Sequence, residues 1–529
     1  MTHSLKIVTK ATHKFHGGLH LNDCKAPACD VPLNTCTMPA ELVIPLNMHA
    51  GVDAEPTVSV GDNVTAWRII ATGVGPVSAN IHSPASGVVT HIEPRPMISR
   101  SGIEEMAIVI ATEAEIESQE PPADWFDELS QPPEAIHAQI SGAGIVGLGG
   151  AGFPTGTKIA SSLDAKTLLI NGAECEPYIS CDDRTMRELG TEVIAGAFLI
   201  AKAAGCDYIQ VGIEDNKPEA ISKLEAVIQA LPGHLQKRIS IQVCPTRYPM
   251  GGEKQLLETI TSNQVPSGTY PAEIGYLVQN VGTALAVYEA VVLNKPLISR
   301  IVTMTGKAVS KPGNYRVPIG TPVSHLLKEA GVNTSECHQL IHGGPMMGYP
   351  LADQDRPISK LTNCLIAATV DEIPELPTEQ PCIRCGQCAE VCPAKLLPQQ
   401  LLWFSKSEEL EKAEQFKIND CIECGLCAYV CPSHIPLVDY YRFTKSEIRI
   451  QTRDRLKAER SKVKFDARNE RIEQERLEKE RIKAEKAAAR AAKKAAGGDD
   501  ATDQAKKDAV AAALARVKAK KKEQGDSES

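Results

Sequence analysis

The sequence lacks the segments that would carry it through or across a bilayer. None of its apolar runs approaches the ~18 residues of a membrane-spanning helix. Its start, MTHSLKIVTKATHKFHGG, has no apolar core of a secretory signal. These absences predict a protein that is made and kept in the cytoplasm, where it can still sit on a membrane surface. With 529 residues, 43% of them hydrophobic, the chain is long enough for several domains with sizeable cores.

The end of the chain has too few apolar residues to build a core. Residues 441–529 carry 26 Lys and Arg against 17 Asp and Glu, whereas residues 1–440 carry 31 against 49. The segment RNERIEQERLEKERIKAEKAAARAAKKAAGG is predicted to be helical or disordered. A basic tail on an acidic body suggests an acidic partner, lipid headgroups or nucleic acid, and the alternative is a solvated helix that binds nothing specific.

Cysteine, by contrast, is abundant, with 17 residues. In a chain kept in the cytoplasm, such cysteines indicate metal ligands rather than disulfides. Eight of them form two runs, CIRCGQCAEVCP and CIECGLCAYVCP, which begin at Cys382 and Cys421. Each run follows the C-x2-C-x2-C-x3-C-P pattern of bacterial two-cluster ferredoxins. Zinc is the alternative metal, but two full runs with the trailing proline argue against it.

The spacing also predicts which cysteines share a cluster. Three cysteines at x2 spacing hold three corners of a cubane, and the fourth ligates the other cluster. One [4Fe–4S] cluster is therefore assigned to Cys382, Cys385, Cys388 and Cys431, and the second to Cys421, Cys424, Cys427 and Cys392. The irregularly spaced Cys24, Cys29 and Cys36 are predicted to be unliganded thiols. Five scattered cysteines are predicted to be buried packing residues: Cys175, Cys206, Cys244, Cys337 and Cys364.

A glycine-rich stretch, GLGGAGFPTGTK, extends from Gly147 to Lys158. Its first residues satisfy G-x-G-x-x-G, which is typical of a dinucleotide-binding loop that opens a helix. However, Pro154 would fall inside that helix, at a cost of about 3 kcal/mol. Lys158 also comes one residue too late for a P-loop. The stretch therefore predicts a nucleotide loop of another kind, whose amides and lysine would suit a phosphate.

Composition and periodicity divide the chain into a multidomain α/β protein. Short strands with turn signals over 41–115 predict a barrel-sandwich-like β domain, without a lysine at its IHSPASG hairpin tip for a carrier role. Strand-like and helical runs alternate over 136–300, which favours a largely parallel sheet. The other predicted parts are an N-terminal extension over 1–40, a linker over 116–135, a β-grasp-sized unit over 301–365, the cluster domain over 370–440 and the tail over 441–529.

Four motifs in order, GLGGAGFPTGTK, NGAECEP, YPMGGEKQLLETI and QNVGTA, resemble the flavin and NADH motifs of the NADH-oxidising subunit of respiratory complex I. The whole layout more closely resembles the C subunits of the Rnf (Rsx) ion-translocating electron transport complexes, over roughly 15–440. Two residues depart from the complex I pattern: Ala173 replaces an acid, and Gly252 replaces the first of two glutamates.

The resemblance implies roles for individual residues. Phe153 is similar to the aromatic that stacks on NADH. The acids Glu174, Glu176 and Glu253 match catalytic-site positions near flavin and nicotinamide. The residues that match cofactor-binding positions, besides Phe153, are Gly149, Gly150, Gly152, Lys158, Asn171, Tyr248, Gly251 and Asn280.

The implied function is that of an electron-input subunit with a noncovalent FMN. Nicotinamide gives two electrons as hydride whereas clusters accept one at a time, so a flavin is needed between NADH and the clusters. The resemblance implies a peripheral position on the cytoplasmic side of the inner membrane. The expected partners are the other Rnf subunits and a ferredoxin-like carrier, with no specific nucleic acid. The alternatives are a relay and assembly module without NADH oxidation, and the diaphorase subunit of a soluble NADH:ferredoxin or hydrogenase complex.

Overall fold

The fold was analysed in a computed structural model that describes residues 7–100, 102–113, 125–150, 152–375, 377–495 and 500–523. The chain divides into two compact units, 1–445 and 446–529. The first unit contains four sheets and both cysteine runs. Of the linker predicted over 116–135, residues 116–124 lie outside the described residues, and the remainder contains a 3-10 helix at Phe126–Ser130 and the start of a helix at Pro133.

The N-terminal part forms two small antiparallel sheets with a shared core. In one sheet β9 lies between β3 and β8, and the alternating side chains Leu42, Ile44, Ile108 and Ile110 are fully buried on one face. The predicted barrel-sandwich-like domain is confirmed. Its elements and those before it are β1 (Val8–Lys10), α1 (Ala26–Cys29), β2 (Asn34–Thr35), β3 (Glu41–Pro45), β4 (Glu55–Pro56), β5 (Asn63–Val64), β6 (Ile69–Thr72), β7 (Ile81–His82), β8 (Gly87–Pro96) and β9 (Glu104–Thr112).

The next part is an α/β domain on a five-stranded parallel sheet with the order β1-β12-β11-β10-β13. The alternating strand and helix runs of the sequence produce it, since parallel strands need helical crossovers. The elements are α2 (Pro133–Gly142), α3 (Thr155–Ala160), β10 (Thr167–Gly172), α4 (Cys181–Glu188), α5 (Gly190–Ala204), β11 (Tyr208–Glu214), α6 (Pro218–Ala230), α7 (Gly233–Gln236), β12 (Ile239–Cys244), α8 (Glu253–Thr261), β13 (Tyr276–Asn280) and α9 (Val281–Val292).

The N-terminal extension, predicted over 1–40, contains two short strands that join sheets of later parts of the chain. Its β1 adds an edge strand to the parallel sheet by pairing with β12, and β2 pairs with a strand of the following unit. Both strands are only two or three residues long. Backbone pairing with partners more than two hundred residues away leaves no periodicity in so short a segment, so the sequence could not predict it.

The β-grasp unit, predicted over 301–365, contains a hairpin and a helix. The hairpin is part of a six-stranded mixed sheet with the order β17-β16-β18-β14-β15-β2. The first two strands of this unit along the chain, β14 and β15, pair antiparallel. The buried helix residues Val323, Leu326 and Leu327 pack in one hydrophobic core with these strands. The elements are β14 (Ser299–Thr305), β15 (Gly313–Pro318), α10 (Val323–Glu329), β16 (Gln339–His342), β17 (Tyr349–Pro350) and β18 (Cys364–Ala368).

The cysteine-rich part is built from short helices, and the tail from long ones. The two cysteine runs share a backbone feature at the residue before the second cysteine. This residue has a positive φ in both runs, +57° at Arg384 and +58° at Glu423. In the part of the chain that the structure describes, no helix has the length and hydropathy needed to cross a membrane. The helices are α11 (Gln387–Glu390), α12 (Pro398–Lys406), α13 (Leu410–Gln415), α14 (Leu426–Tyr429), α15 (Leu437–Ala495) and α16 (Asp500–Glu523).

Candidate functional site

A large cavity of about 950 Å³ lies at the carboxyl ends of the central parallel strands. Its walls come from the glycine-rich loop, from the loops after β10 and β12 and from the β-grasp unit. The second cysteine run contributes Ile422, and the two residues just before that run, Asn419 and Asp420, also line the cavity. A cavity of this size matches that of cofactor sites, and the ends of parallel strands are where α/β domains bind ligands.

Among the described residues around the glycine-rich loop, α2 precedes it, no strand leads into it, and no helix runs through Pro154. The amide of Gly147 donates to the Phe153 carbonyl at 2.8 Å, which closes the loop. Pro154 then serves as the N-cap position of α3. The cost expected for a proline inside a helix therefore does not arise, and the loop differs from a βαβ dinucleotide loop.

The glycines of this loop differ in what they face. Gly149 and Gly150 line the cavity together with Phe153. Gly152, by contrast, turns towards the protein interior, where an added Cβ would lie 2.8 Å from Leu361 Cδ2. Gly152 has a φ of +61° and is required for this turn and close approach. The structure thus shows a packing role for Gly152, and its cofactor contact stays a prediction.

One wall of the cavity brings together residues of three motifs: Lys158, Asn171, Gly251 and Glu253. The Lys158 Nζ donates to Glu253 Oε1 at 3.0 Å and to the Val278 carbonyl at 2.8 Å. The Asn171 side-chain amide donates to the Gly251 carbonyl at 2.8 Å. Residues from three separate motifs are therefore held together by direct hydrogen bonds, and Lys158 presents a cation beside the glycine-rich loop.

The two acids of the NGAECEP motif are engaged by the protein's own backbone. The Glu174 carboxylate accepts from the Asp182 amide at 2.8 Å and the Asp183 amide at 3.3 Å, at the N-terminus of α4. The Glu176 carboxylate accepts from the amides of Met346 and Met347 at 2.8 and 3.0 Å. Burial raises the pKa of Glu176, and these amides oppose the rise. Both acids shape the cavity wall, and their catalytic role stays a prediction.

Asp182, Asn280 and Arg300 form another part of the cavity wall. Burial and then the nearby Glu174 raise the pKa of Asp182 to about 7, so this carboxyl keeps much of its proton near neutral pH. Asn280 donates to Asp182 Oδ2 at 2.6 Å and accepts from the Gly282 amide as the N-cap of α9. The buried Arg300 donates to the Leu148 carbonyl at 2.8 Å, which puts a cation behind the glycine-rich loop.

Two buried nitrogens on the cavity wall support the binding of a ligand. Among the described residues, Gln279 Nε2 and His342 Nε2 have no hydrogen-bond partner, although both residues line the cavity. Buried polar groups are normally satisfied. A ligand with several acceptor oxygens would satisfy such groups. FMN, with its phosphate and its ring carbonyls, fits these donors, the glycine-rich backbone and Lys158.

Lys25 of the N-terminal extension donates hydrogen bonds to backbone carbonyls in and next to the NGAECEP motif. Its side chain is buried, and Nζ donates to the carbonyls of Glu174 at 2.5 Å, Glu176 at 3.1 Å and Ile179. The Glu174 carboxylate lies 3.9 Å away. Sequence reasoning missed Lys25, Asp182, Arg300 and Gln279. Gln279 is the first residue of the QNVGTA motif and Asp182 follows the NGAECEP motif closely, whereas the sequence around Arg300 and Lys25 has no motif that could have indicated them.

Replacing Lys25 with methionine should lower the free energy of unfolding by about 3 kcal/mol, because three carbonyls would lose a shared donor inside the protein. It should also weaken FMN binding, since the loop lines the cavity. Denaturant unfolding and fluorescence titration with FMN measure the two effects. The matched control is Lys14→Met at an exposed lysine, and equal stability of the two variants would contradict the assigned role.

The eight cysteines of the two runs surround two separate small cavities, each of about 20 Å³. The walls between the sulfurs are apolar, with residues such as Leu402 and Ile435 in one cavity and Leu426 and Val438 in the other. Four thiols in an apolar shell fit an iron–sulfur cluster. The structure brings together Cys382, Cys385, Cys388 and Cys431 at one cavity, and Cys392, Cys421, Cys424 and Cys427 at the other.

The thiols of the N-terminal extension have protein partners. The Cys29 thiol donates to Asp183 Oδ2 at 2.9 Å, and the Cys36 thiol donates to Glu329 Oε2 at 3.0 Å. His325 Nε2 lies 3.7 Å from the same Glu329 oxygen and 3.0 Å from the Thr37 carbonyl. These contacts anchor the extension to α4 and α10.

Comparison with known families agrees with this arrangement. Residues 13–115 match the RnfC barrel sandwich hybrid domain, and 140–289 match the Nuo51 FMN-binding domain. Residues 301–350 match the SLBB domain, and 381–435 match the 4Fe–4S dicluster domain. The fold and the site thus define an electron-transfer protein that joins an FMN-binding domain to a dicluster domain.

Two curated relatives are each named as the C subunit of an ion-translocating oxidoreductase complex. The protein of Klebsiella pneumoniae (strain 342) is 44% identical over 510 residues, which are 96% of this chain. The protein of Yersinia enterocolitica (serotype O:8 / biotype 1B) is 45% identical over 461 residues, which are 87% of this chain. Over most of its length the chain is similar to these C subunits, as its motifs predicted, and it spans 65% of the length of each of these relatives.

A solved NAD+-reducing [NiFe]-hydrogenase in the H2-reduced state is a more distant likeness. It aligns with 61% of this chain and 63% of its own at 20% identity and a TM-score of 0.46. A likeness at this level supports no conclusion about the function of this chain.

Proposed function

We propose that this chain is the electron-input subunit of a membrane-associated ion-translocating oxidoreductase complex. NADH and FMN would bind in the large cavity, and two [4Fe–4S] clusters would carry electrons to or from partner subunits and a ferredoxin-like carrier. The observation that carries the proposal is the shared wall: the FMN-domain loops and the second cysteine run border one cavity. Its place would be the cytoplasmic side of the inner membrane, and its catalysis would be coupled to ion transport by the partners.

Each part of the cavity has a task in this proposal. When bound, FMN takes a hydride and releases electrons singly. Gly149 and Gly150 would let backbone amides approach a phosphate, and Lys158 would neutralise its charge. Phe153 would present a flat apolar face to a ring. The cavity wall formed by Glu176, Met346 and Met347 is held rigid by its hydrogen bonds, which would keep the nicotinamide and flavin rings in register.

The test is to add NADH to the anaerobic, reconstituted chain and to follow flavin absorbance and cluster EPR. We expect bleaching of the flavin and the appearance of reduced-cluster signals. Lys158→Ala should weaken FMN binding about tenfold or more, because a charged hydrogen bond at a phosphate contributes about 1.5–3 kcal/mol. The matched control is Lys223→Ala, at an exposed lysine of α6 that does not line the cavity.

Clusters that are reduced by dithionite but never by NADH would contradict the proposal. They would favour the relay and assembly module, in which electrons enter elsewhere. Full NADH oxidation with ferredoxin by the isolated chain, independent of any membrane fraction, would instead favour the soluble diaphorase alternative.

A further inference from the structure

We propose that the segment His16–Leu19 and the side chain of Tyr248 form a clamp that holds one cluster site against the flavin cavity. The site is the one bordered by Cys392, Cys421, Cys424 and Cys427, named here the inner cluster site. The clamp makes the inner cluster the one that exchanges electrons with the flavin. This inference rests on the proposed function, and it assigns a role to an N-terminal segment that carries no cofactor motif.

Tyr248 connects the flavin cavity to the inner cluster site. The residue is only 2% exposed, it lines the cavity, and its hydroxyl donates to the Cys424 carbonyl at 2.8 Å. Its backbone is fixed at the same time, because its amide donates to the Leu19 carbonyl at 2.8 Å and its carbonyl accepts from the Leu19 amide at 2.9 Å. One residue thus ties the YPMGGE loop, the N-terminal segment and the second cysteine run together.

The N-terminal segment holds the fourth cysteine of the same site. The Gly18 amide donates to the Val391 carbonyl at 3.0 Å, and His16 Nδ1 lies 3.0 Å from the Cys392 carbonyl, where a protonated Nδ1 would donate to it. Gly17 packs against this backbone so closely that an added Cβ would lie 2.5 Å from the Val391 carbonyl oxygen. The carbonyls of Cys392 and Cys424, two ligands from different runs, are therefore both bonded from outside the cluster domain.

The two cluster sites differ in their relation to the cavity. Ile422 lines both the large cavity and the inner cluster site. Among the described residues, none that borders the other cluster site also lines the large cavity. That outer site contains Cys385, which is exposed, and its neighbour Ile383 is 68% exposed. The geometry thus orders the sites from the cavity through the inner cluster to an outer cluster near the surface.

The electrons balance along this path. A bound, fully reduced flavin would supply two electrons and two protons, and the protons would pass to water. A [4Fe–4S] cluster held at each site would accept one electron and no proton, so the two electrons would have to pass singly to a partner near the outer site.

The experiment uses the full-length reconstituted chain and compares Gly17→Ala and His16→Ala with His13→Ala, a change at an exposed histidine of the same segment. Stopped-flow addition of NADH should bleach the flavin at the unchanged rate in all three. Reduction of the inner cluster should be about tenfold slower in Gly17→Ala, because a small displacement of a positioned redox group has effects of this size. His16→Ala should show a smaller slowing.

A second measurement separates the clamp from general loss of structure and from the proposed function. Dithionite reduction followed by EPR should show a changed signal and midpoint potential for the inner cluster in Gly17→Ala, with the outer cluster unchanged. Cluster reduction at the wild-type rate with unchanged potentials would overturn the clamp. Failure of NADH to bleach flavin in the wild type would overturn the proposed function, and the dithionite comparison would still decide the clamp.

Discussion

Replacing Cys431 with alanine should remove the same cluster as replacing Cys385, although the two cysteines belong to different runs. Cys431 borders the cavity of Cys382, Cys385 and Cys388, while the fourth cysteine of that run, Cys392, borders the other. A [4Fe–4S] cluster that loses one of four thiolates is expected to be lost or strongly destabilised. Each single variant should therefore keep about four of the about eight iron atoms per chain.

EPR of the dithionite-reduced variants distinguishes the two assignments. Cys431→Ala and Cys385→Ala should show one and the same remaining signal, and Cys392→Ala and Cys424→Ala should share the other. Cys244→Ala, at a buried cysteine outside both sites, is the control that should retain all the iron. If Cys431→Ala matched Cys424→Ala instead, each run would hold its own cluster, and the crosswise assignment would be wrong.

Replacing Gly196 with alanine should destabilise the FMN-binding domain by about 3 kcal/mol, a typical cost of overpacking a tight core. Gly196 lies in α5 where that helix crosses α9, and an added Cβ would lie 1.8 Å from the Ala284 carbonyl oxygen. The clash is with backbone, so no side-chain rotation can relieve it, and the two helices must separate. Since whole domains are stable by only about 5–15 kcal/mol, such a loss is large.

The control for this variant is Gly142→Ala, at the last residue of α2. An added Cβ there has no atom within 4 Å, and the backbone is not left-handed. This change should be neutral or slightly stabilising, since it only restricts the unfolded chain. Thermal unfolding monitored by circular dichroism measures both. Equal melting temperatures for the two variants would show that α5 and α9 can separate at little cost.

Part of the site could be predicted because its chemistry is written in short local patterns. The two cysteine runs need three ligands at fixed spacing, and the glycine-rich loop needs residues without a Cβ. The cluster cysteines could therefore be named from their spacing, whereas Gly149, Gly150, Phe153 and Lys158 were named from the resemblance of their motif to that of the complex I subunit. All of them border the cavities of the structure.

Local patterns were less informative where a residue has more than one possible reason to be there. Gly152 fits the dinucleotide pattern but serves a turn that packs on Leu361. Glu174 fits an acid of the flavin site, yet its carboxylate caps α4. In both cases the motif gave the right segment, while the direction of the side chain depended on neighbours far along the chain.

The sequence by itself determined the class of fold, the order of the parts and the grouping of the cysteines into two sets of four. These features follow from periodicity and from spacing, which are properties of short segments. Only the tertiary structure decided that the short strands β1 and β2 each join a sheet of a later part of the chain. It also decided that Lys25 binds the backbone of the NGAECEP loop and that Tyr248 contacts the inner cluster site. These contacts join segments more than a hundred residues apart, and single hydrogen bonds between distant segments impose no repeat on the sequence.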